Sequence, residues 1–371
     1  MFFGILISPN RFAASISAAV LTISLAACGG GTDTATDTAD SSDQVAFSQS
    51  VAIKGAGASF PAPIYTRWFS DLRQKQPNLQ VDYQSVGSGA GVKQFTAGTV
   101  DFGASDVAMT DDEIAKVERG VFMIPMTAGS VVLAYNIPGV ESGLKLSQEA
   151  LADILLGKIK KWNDPKITAD NPDLKLPDLT ITVVYRSDGS GTTGVFTKNL
   201  SAMSKEWKDK VGEGKAVEWP TGIGGSKNDG VTAQVAQNEG AIGYVEYGYA
   251  KSKKLAMVAL KNKAGKFIEP TDEAASKTLS AVKLPENLRA FVTNPEGEDS
   301  YPIVTYTWLL AYKEYDDPEI AKAVEAAIEY GLTEGQKVAP DLGYIPLPED
   351  VIEKVAAVAD QISPDYEIKV K

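Results

Sequence analysis

Three times along this chain an apolar, strand-like run ends in a turn of glycines and hydroxyls that opens a helix, and that repetition dictates an α/β fold. Val51-Ala52-Ile53-Lys54 leads into Gly55-Ala56-Gly57-Ala58-Ser59-Phe60-Pro61, and a helix then carries Ile64, Tyr65, Trp68, Phe69 and Leu72 on one face before Pro77. Leu79, Val81 and Tyr83 alternate as a strand, and Gly87-Ser88-Gly89-Ala90-Gly91 precedes a helix expected from about Val92. The β-branched run 180–185 meets Arg186-Ser187-Asp188-Gly189-Ser190-Gly191-Thr192, with a helix expected over 193–200. One such turn alone is ordinary loop chemistry. Three of them favour a small-anion site, because the first N–H groups of a helix lack internal partners and its dipole is positive there. Arg186 adds a permanent charge with forked donors, and Asp188 two residues on is either its anchor or an Asx-type turn residue.

The pattern continues through the chain. Residues 100–106 read as a strand ending in a carboxylate, Thr110 and Glu113 have capping-box spacing, and Gly120 ends the helix that follows. Residues 121–126 and 130–135 read as two buried strands. Gly224 to Gly230 is a further Gly-rich turn before a helix to about Asn238, and 241–246 is a strand. A strand over 303–312 precedes two helices, one after Asp317-Pro318 and one after Pro348 that carries Ile352, Val355 and Ile362. Ser59, Ser88, Asp106 and Arg186 therefore all fall just past strand carboxyl ends, the edge where open α/β sheets bind ligands.

Composition narrows the chemistry. The formal charge is −12, a poor match for nucleic acid, so an anion site must work through local donors. No histidine occurs anywhere, which removes Ser-His-Asp catalysis, Cys-His catalysis and His-ligated zinc. Catalytic residues, a metal and a cofactor are none of them expected. The single cysteine closes Leu25-Ala26-Ala27-Cys28 after an apolar run too short and too rich in Ala and Ser for a membrane span. Leu25-Ala26-Ala27-Cys28 resembles the lipobox of bacterial lipoproteins, which implies residues 1–27 as a signal peptide and 28–50 as a lipidated Cys28 with an acidic, disordered tether. The expected location is outside the cytoplasm, lipid-anchored on the outer face of the cytoplasmic membrane, in the periplasm or on the outer membrane.

The stretches Gly55–Tyr65, Gly87–Gln94, Val100–Asp106 and Arg186–Thr192 resemble those of the phosphate-binding proteins of bacterial ABC phosphate uptake. Gly157-Lys158-Ile159-Lys160-Lys161-Trp162-Asn163 and Gly240–Tyr247 look like the same family, and the likeness runs in order from about Val51 to about Ile362. It implies a two-lobed, type II-like periplasmic-binding-protein fold whose discontinuous lobes, 51–126 plus 305–371 and 127–304, are joined by strands crossing near Thr127 and Thr305. Carried over motif by motif, the phosphate-binding positions are Ser59, Phe60 (through its backbone N–H), Ser88, Asp106, Arg186, Ser190, Gly191 and Thr192, with Asp188 behind Arg186. The implied partners are inorganic phosphate, the transmembrane subunits of an ABC permease with their ATPase, and a membrane reached through the lipid, for a chain acting as a monomer.

Asp106 is the informative oddity. Its residue type fits either a cap for the next segment or, as the resemblance implies, an acceptor for the proton that phosphate keeps at neutral pH and sulfate lacks. Two rivals remain at this stage. Gly189 to Gly194 fits G-x-G-x-x-G, but a dinucleotide fold also wants an acidic residue ending the next strand, and 205–209 reads as helix or loop. A receptor of the same fold for sulfate or molybdate is the other. The lysines at 158, 160 and 161 read as a solvated helix end, with docking to a permease as the weaker option.

Overall fold

Strands and helices alternate because β-branched runs are punctuated by glycine, proline and capping residues, and the computed structural model describes residues 47–370 of the chain. The strands are β1 Val51–Gly57, β2 Leu79–Ser85, β3 Phe102–Ser105, β4 Val121–Tyr135, β5 Lys145–Leu146, β6 Thr182–Arg186, β7 Ile223–Gly225, β8 Ala241–Glu246, β9 Ala256–Met257, β10 Ala259–Lys261, β11 Phe267–Ile268 and β12 Val304–Tyr312. The main sheet has the order β2-β1-β3-β12-β4-β8-β6-β7, with β9 against β4, and β11-β10-β5 form a small second sheet. β1 is parallel to β2 and β3, and β6 is parallel to β7 and β8, so each flank is a parallel α/β unit.

The two flanks share one long strand. From Val121 to Ser130, β4 pairs antiparallel with β12, and from Val131 to Tyr135 it pairs antiparallel with β8. The sequence suggested two strands here because Thr127, Ala128 and Gly129 interrupt the apolar run. Pairing with Thr305, Tyr306 and Thr307 keeps their backbone in the ladder, so β4 is a single strand of 15 residues. Gly129 also makes room for a neighbour: a Cβ there would meet the Phe60 ring at 2.8 Å.

Local boundaries shift where the turn residues join an element. β1 extends through Gly57, leaving Ala58 to Pro61 as the turn before the helix Ala62–Lys75. Ile64, Tyr65, Trp68, Phe69 and Leu72 form the buried face of that helix, and the Trp68 indole N–H donates to the Gly335 carbonyl at 2.8 Å. The second helix begins at Ser88, not near Val92, because Gly87 turns the chain with φ 88° and the next residues go straight into the helix Ser88–Thr96. The third site helix is Gly191–Met203, longer than expected at both ends. Thr110 and Glu113 do form a reciprocal capping box, but on a helix of only four residues, Asp111–Ile114, and Gly120 lies in the turn after it. The last helix is Glu349–Ala359, which leaves Ile362 beyond its end though still buried. The stretch expected as tether gives way to packed structure before Ser50: Phe47 is buried, and its carbonyl accepts from the Asn78 amide at 2.8 Å. Among the described residues no helix is long and apolar enough to cross a membrane.

Candidate functional site

Strand carboxyl ends from both flanks of the sheet deliver their side chains to one buried cluster. Ser59 follows β1, Ser88 opens the helix after β2, and Asp106 follows β3. Arg186 ends β6, and Ser190, Gly191 and Thr192 begin the helix behind it. Ser59, Ser88, Asp106, Arg186, Ser190 and Thr192 are all at most 4% exposed, which for polar side chains requires internal partners.

Arg186 is held from behind. Its Nε donates to Asp188 Oδ1 at 2.9 Å and its Nη2 to Asp188 Oδ2 at 2.6 Å, while Nη1 reaches Thr192 Oγ1 at 3.3 Å. Two of its nitrogens are thus spent on orientation, and a third faces the cluster. Asp188 is itself half-buried, which favours its neutral form, but the Arg186 bonds and the Lys227 N–H outweigh that and hold its carboxyl below the usual range. Tyr244 fixes the strand end, its hydroxyl accepting from the Arg186 N–H at 3.0 Å and pairing with Thr193 Oγ1 at 2.6 Å.

Asp106 faces this arrangement from the other flank. Its Oδ1 accepts from Thr307 Oγ1 at 3.0 Å and its Oδ2 from Thr192 Oγ1 at 3.3 Å. Its N–H donates to Ser88 Oγ at 3.4 Å, and its carbonyl accepts from Thr305 Oγ1 at 3.2 Å. Burial pushes the carboxyl up to about 7, against the opposing influence of Thr307, Arg186, Thr192 and Ser88. Asp106 does not cap the next helix, whose cap is Thr110. The Thr192 hydroxyl stands between the buried Asp106 carboxyl and the buried Arg186 guanidinium and is bonded to both.

The remaining expected positions have distinct places. Ser190 is the N-cap of its helix, its Oγ accepting from the Thr193 N–H at 3.0 Å, so its own proton stays available for donation. Gly191 is required by space: a Cβ would stand 2.4 Å from Ser88 Oγ and 2.8 Å from the Asp106 nitrogen. The Phe60 side chain belongs to the core, edge-on to Tyr344 at 6.1 Å, and its carbonyl accepts from the Tyr344 hydroxyl at 2.6 Å. Cys28 lies outside the described residues.

Sequence reasoning missed Asn228 and Thr307. Asn228 is the second residue of the helix Lys227–Gln237, which Ser226 alone separates from β7, and is completely buried. Its N–H and Nδ2 both donate to Ser59 Oγ, at 3.1 and 3.0 Å. The signal was available, since 224–230 repeats the strand, glycine-turn and helix pattern of the other three. Thr307 carried no such signal, lying inside a strand and facing Asp106 only through the β3–β12 pairing.

The same cluster is closed by contacts between the flanks. The Gly89 N–H donates to the Gly189 carbonyl at 2.8 Å, the Tyr249 hydroxyl to the Ser59 carbonyl at 2.6 Å, and Lys215 pairs with Glu113 at 2.7 Å. The nucleotide motif finds no second element: the strand next to β6 in sequence, β7, ends at Gly225 where an acidic residue would be needed. Lys158 pairs with Asp153 and Glu206, and Lys161 with Asp178, so these lysines are half-exposed ion-pair partners.

Two α/β flanks joined by the crossing strand β4, with a buried polar cage between their strand ends, define a two-lobed solute-binding protein. A family model described as a PBP superfamily domain matches residues 31–334. The phosphate-binding protein PstS of Pasteurella multocida is 46% identical over 312 residues, covering 83% of this chain and 90% of that one. That of Haemophilus influenzae is likewise 46% identical over 312 residues, covering 83% of this chain and 92% of that one. The chain belongs to this family of phosphate-binding proteins, within the PBP superfamily. A crystal structure of an ancestral soluble variant of the human phosphate-binding protein superposes with a TM-score of 0.68 at 19% identity, covering 83% of this chain and 93% of that one, a likeness of fold.

Proposed function

We propose that the chain captures inorganic phosphate between its lobes and hands it, chemically unchanged, to an ABC permease. The observation that carries this reading is that Asp106 and Arg186, from opposite flanks, meet at Thr192 Oγ1 in one hydroxyl-lined, buried cluster. An anion needs donors on nearly all its oxygens when dehydrated, since an unpaired buried charge is costly. Ser59, Ser88, Ser190 and Thr192 offer hydroxyls, Phe60, Gly191 and Thr192 offer backbone N–H groups near helix starts, and Arg186 supplies full charge. Asp106 accepts the ligand's proton, which selects phosphate over sulfate.

The lobes we infer are 51–126 with 305–371, and 127–304, hinged where β4 leaves β12 for β8. Closure brings the Arg186 turn onto an anion first met at Ser59 and Ser88. Leu25-Ala26-Ala27-Cys28 supports a lipid anchor at Cys28 and a location outside the cytoplasm. Lack of histidine, and of an acidic residue ending β7, supports binding without turnover. Isothermal titration of the purified protein with phosphate tests the reading: one phosphate per chain is expected, with no hydrolysis of phosphate esters and no binding of NADH. Absence of phosphate binding, or ester turnover, contradicts it.

A further inference from the structure

We propose that Asn228 is a positioning residue for the anion site, fixing the Ser59 hydroxyl as a dedicated donor and latching the two flanks together. The inference rests on the phosphate-binding reading of the site and adds a residue to it.

The orientation of the Asn228 amide is determined by its surroundings. Its Oδ1 accepts from the Glu246 backbone N–H at 2.9 Å, a partner that can only donate, so its Nδ2 must face the other way. There it meets Ser59 Oγ at 3.0 Å and Thr192 Oγ1 at 3.4 Å. The Asn228 N–H reaches the same Ser59 Oγ at 3.1 Å. A serine oxygen has two lone pairs, and both are occupied by these donors. The one remaining function of the hydroxyl is to give its proton away. A hydroxyl that otherwise switches between donor and acceptor is thereby committed to donation, which is what an anion requires. Thr192 Oγ1 also has its lone pairs filled, by Arg186 Nη1 and Asn228 Nδ2, and its proton is directed at Asp106 Oδ2.

The backbone around Asn228 is arranged for this task. Lys227 has φ 60°, in the left-handed region that a lysine rarely occupies. Its N–H donates at 2.8 Å to Asp188 Oδ1, the same oxygen that accepts from Arg186 Nε. Asp188 therefore sets both the guanidinium and the turn that aims Asn228. An observed backbone outlier at a cluster of polar contacts is a pointer to function. Ser59 follows β1 and Asn228 follows β7, near opposite ends of the sheet order, so their bonds form only when the flanks close. Loss of the latch lowers the closed population and with it the apparent affinity.

The test is a double-mutant cycle of Asn228→Ala and Ser59→Ala in the purified protein, with phosphate affinity and release rate measured for all four forms. Asn228→Ala is expected to weaken phosphate binding by roughly tenfold or more, mainly through faster release. In the Ser59→Ala background the same change is expected to cost no more than about twofold, because its partner is gone. Asn228→Leu keeps the side-chain bulk and removes the amide donor without adding charge; it replaces Asn228→Ala in the cycle should that variant not fold, and the same coupling to Ser59 is expected. Equal effects of the Asn228 change with and without Ser59, or affinity within about twofold of wild type, overturn the inference. A wild-type protein that does not bind phosphate overturns the functional reading beneath it instead, so the two failures are told apart by the wild-type arm.

Discussion

Asp188 Oδ1 accepts from both Arg186 Nε, at 2.9 Å, and the Lys227 backbone N–H, at 2.8 Å, so one carboxylate oxygen joins the charged turn after β6 to the turn after β7. Its Oδ2 holds Arg186 Nη2 at 2.6 Å, completing a fork that leaves Nη1 for the site. Deleting the Asp188 carboxylate therefore does two things at once, freeing the guanidinium to rotate and releasing the turn that presents Asn228.

Asp188→Ala leaves Arg186 buried without its partner, and breaking such a pair is expected to lower stability by roughly 3 kcal/mol. Because the folded-state pKa of Asp188 is depressed, its contribution is complete above the ordinary carboxylate range and is lost as pH falls through the folded value. Urea unfolding of wild type and variant at neutral and strongly acidic pH checks this: the gap between them should shrink on acidification.

Asp106 has the opposite sign. Its carboxyl is raised from 3.8 to about 7 by burial, so the ligand-free folded state keeps a proton that the unfolded chain has lost. Stability of the ligand-free protein should therefore fall as pH rises across that interval, and Asp106→Asn should flatten the slope. Unfolding titrations at several pH values in phosphate-free buffer measure it; an unchanged slope in the variant contradicts the assignment.

On the proposed reading the same proton governs selectivity. Below its pKa Asp106 is a donor and meets a fully deprotonated sulfate favourably; above it the bare carboxylate repels sulfate. The phosphate-to-sulfate affinity ratio is expected to rise with pH through neutrality. Competition titrations from mildly acidic to mildly alkaline buffer test this, and a flat ratio counts against it.

Gly191 offers a steric test. A methyl group there would press on Ser88 Oγ and the Asp106 nitrogen, atoms of the opposite flank. Gly191→Ala should therefore weaken phosphate binding at least tenfold and lower ligand-free stability by roughly 1–3 kcal/mol, the cost of overpacking the closed cluster. Calorimetry and thermal unfolding of one preparation separate the two effects.

Much of the fold was legible because strand ends announce themselves. Val51, Leu79, Phe102 and Val183 lie in short apolar runs that stop at glycine or a polar residue, and each stop is where the site begins. β4 was misread because Thr127, Ala128 and Gly129 look like a break until β12 is known to pair with them, and long-range pairing leaves no local trace. The start of the second helix was misplaced for the opposite reason: glycines at 89 and 91 read as turn, yet they are helical because Gly91 packs against Gly57 and Gly89 against Gly189. Within the candidate site, Ser59, Ser88, Asp106 and Arg186 were expected from their positions at strand ends and from family resemblance. Asn228 was overlooked because it falls inside the Gly224 to Gly230 stretch, where asparagine is ordinary turn chemistry, whereas the helix already starts at Lys227. Thr307 was beyond reach, since only the β3–β12 register brings it to Asp106.

The central claim is that Asp106 chooses the anion by its proton. The most direct measurement is a parallel titration of wild type and Asp106→Asn with phosphate and with sulfate at one pH slightly above neutrality. Wild type should prefer phosphate by roughly a thousandfold or more, about 4 kcal/mol, and the variant should lose most of that preference by gaining sulfate affinity and losing phosphate affinity. An unchanged preference in Asp106→Asn would show that the selection is made elsewhere in the cleft.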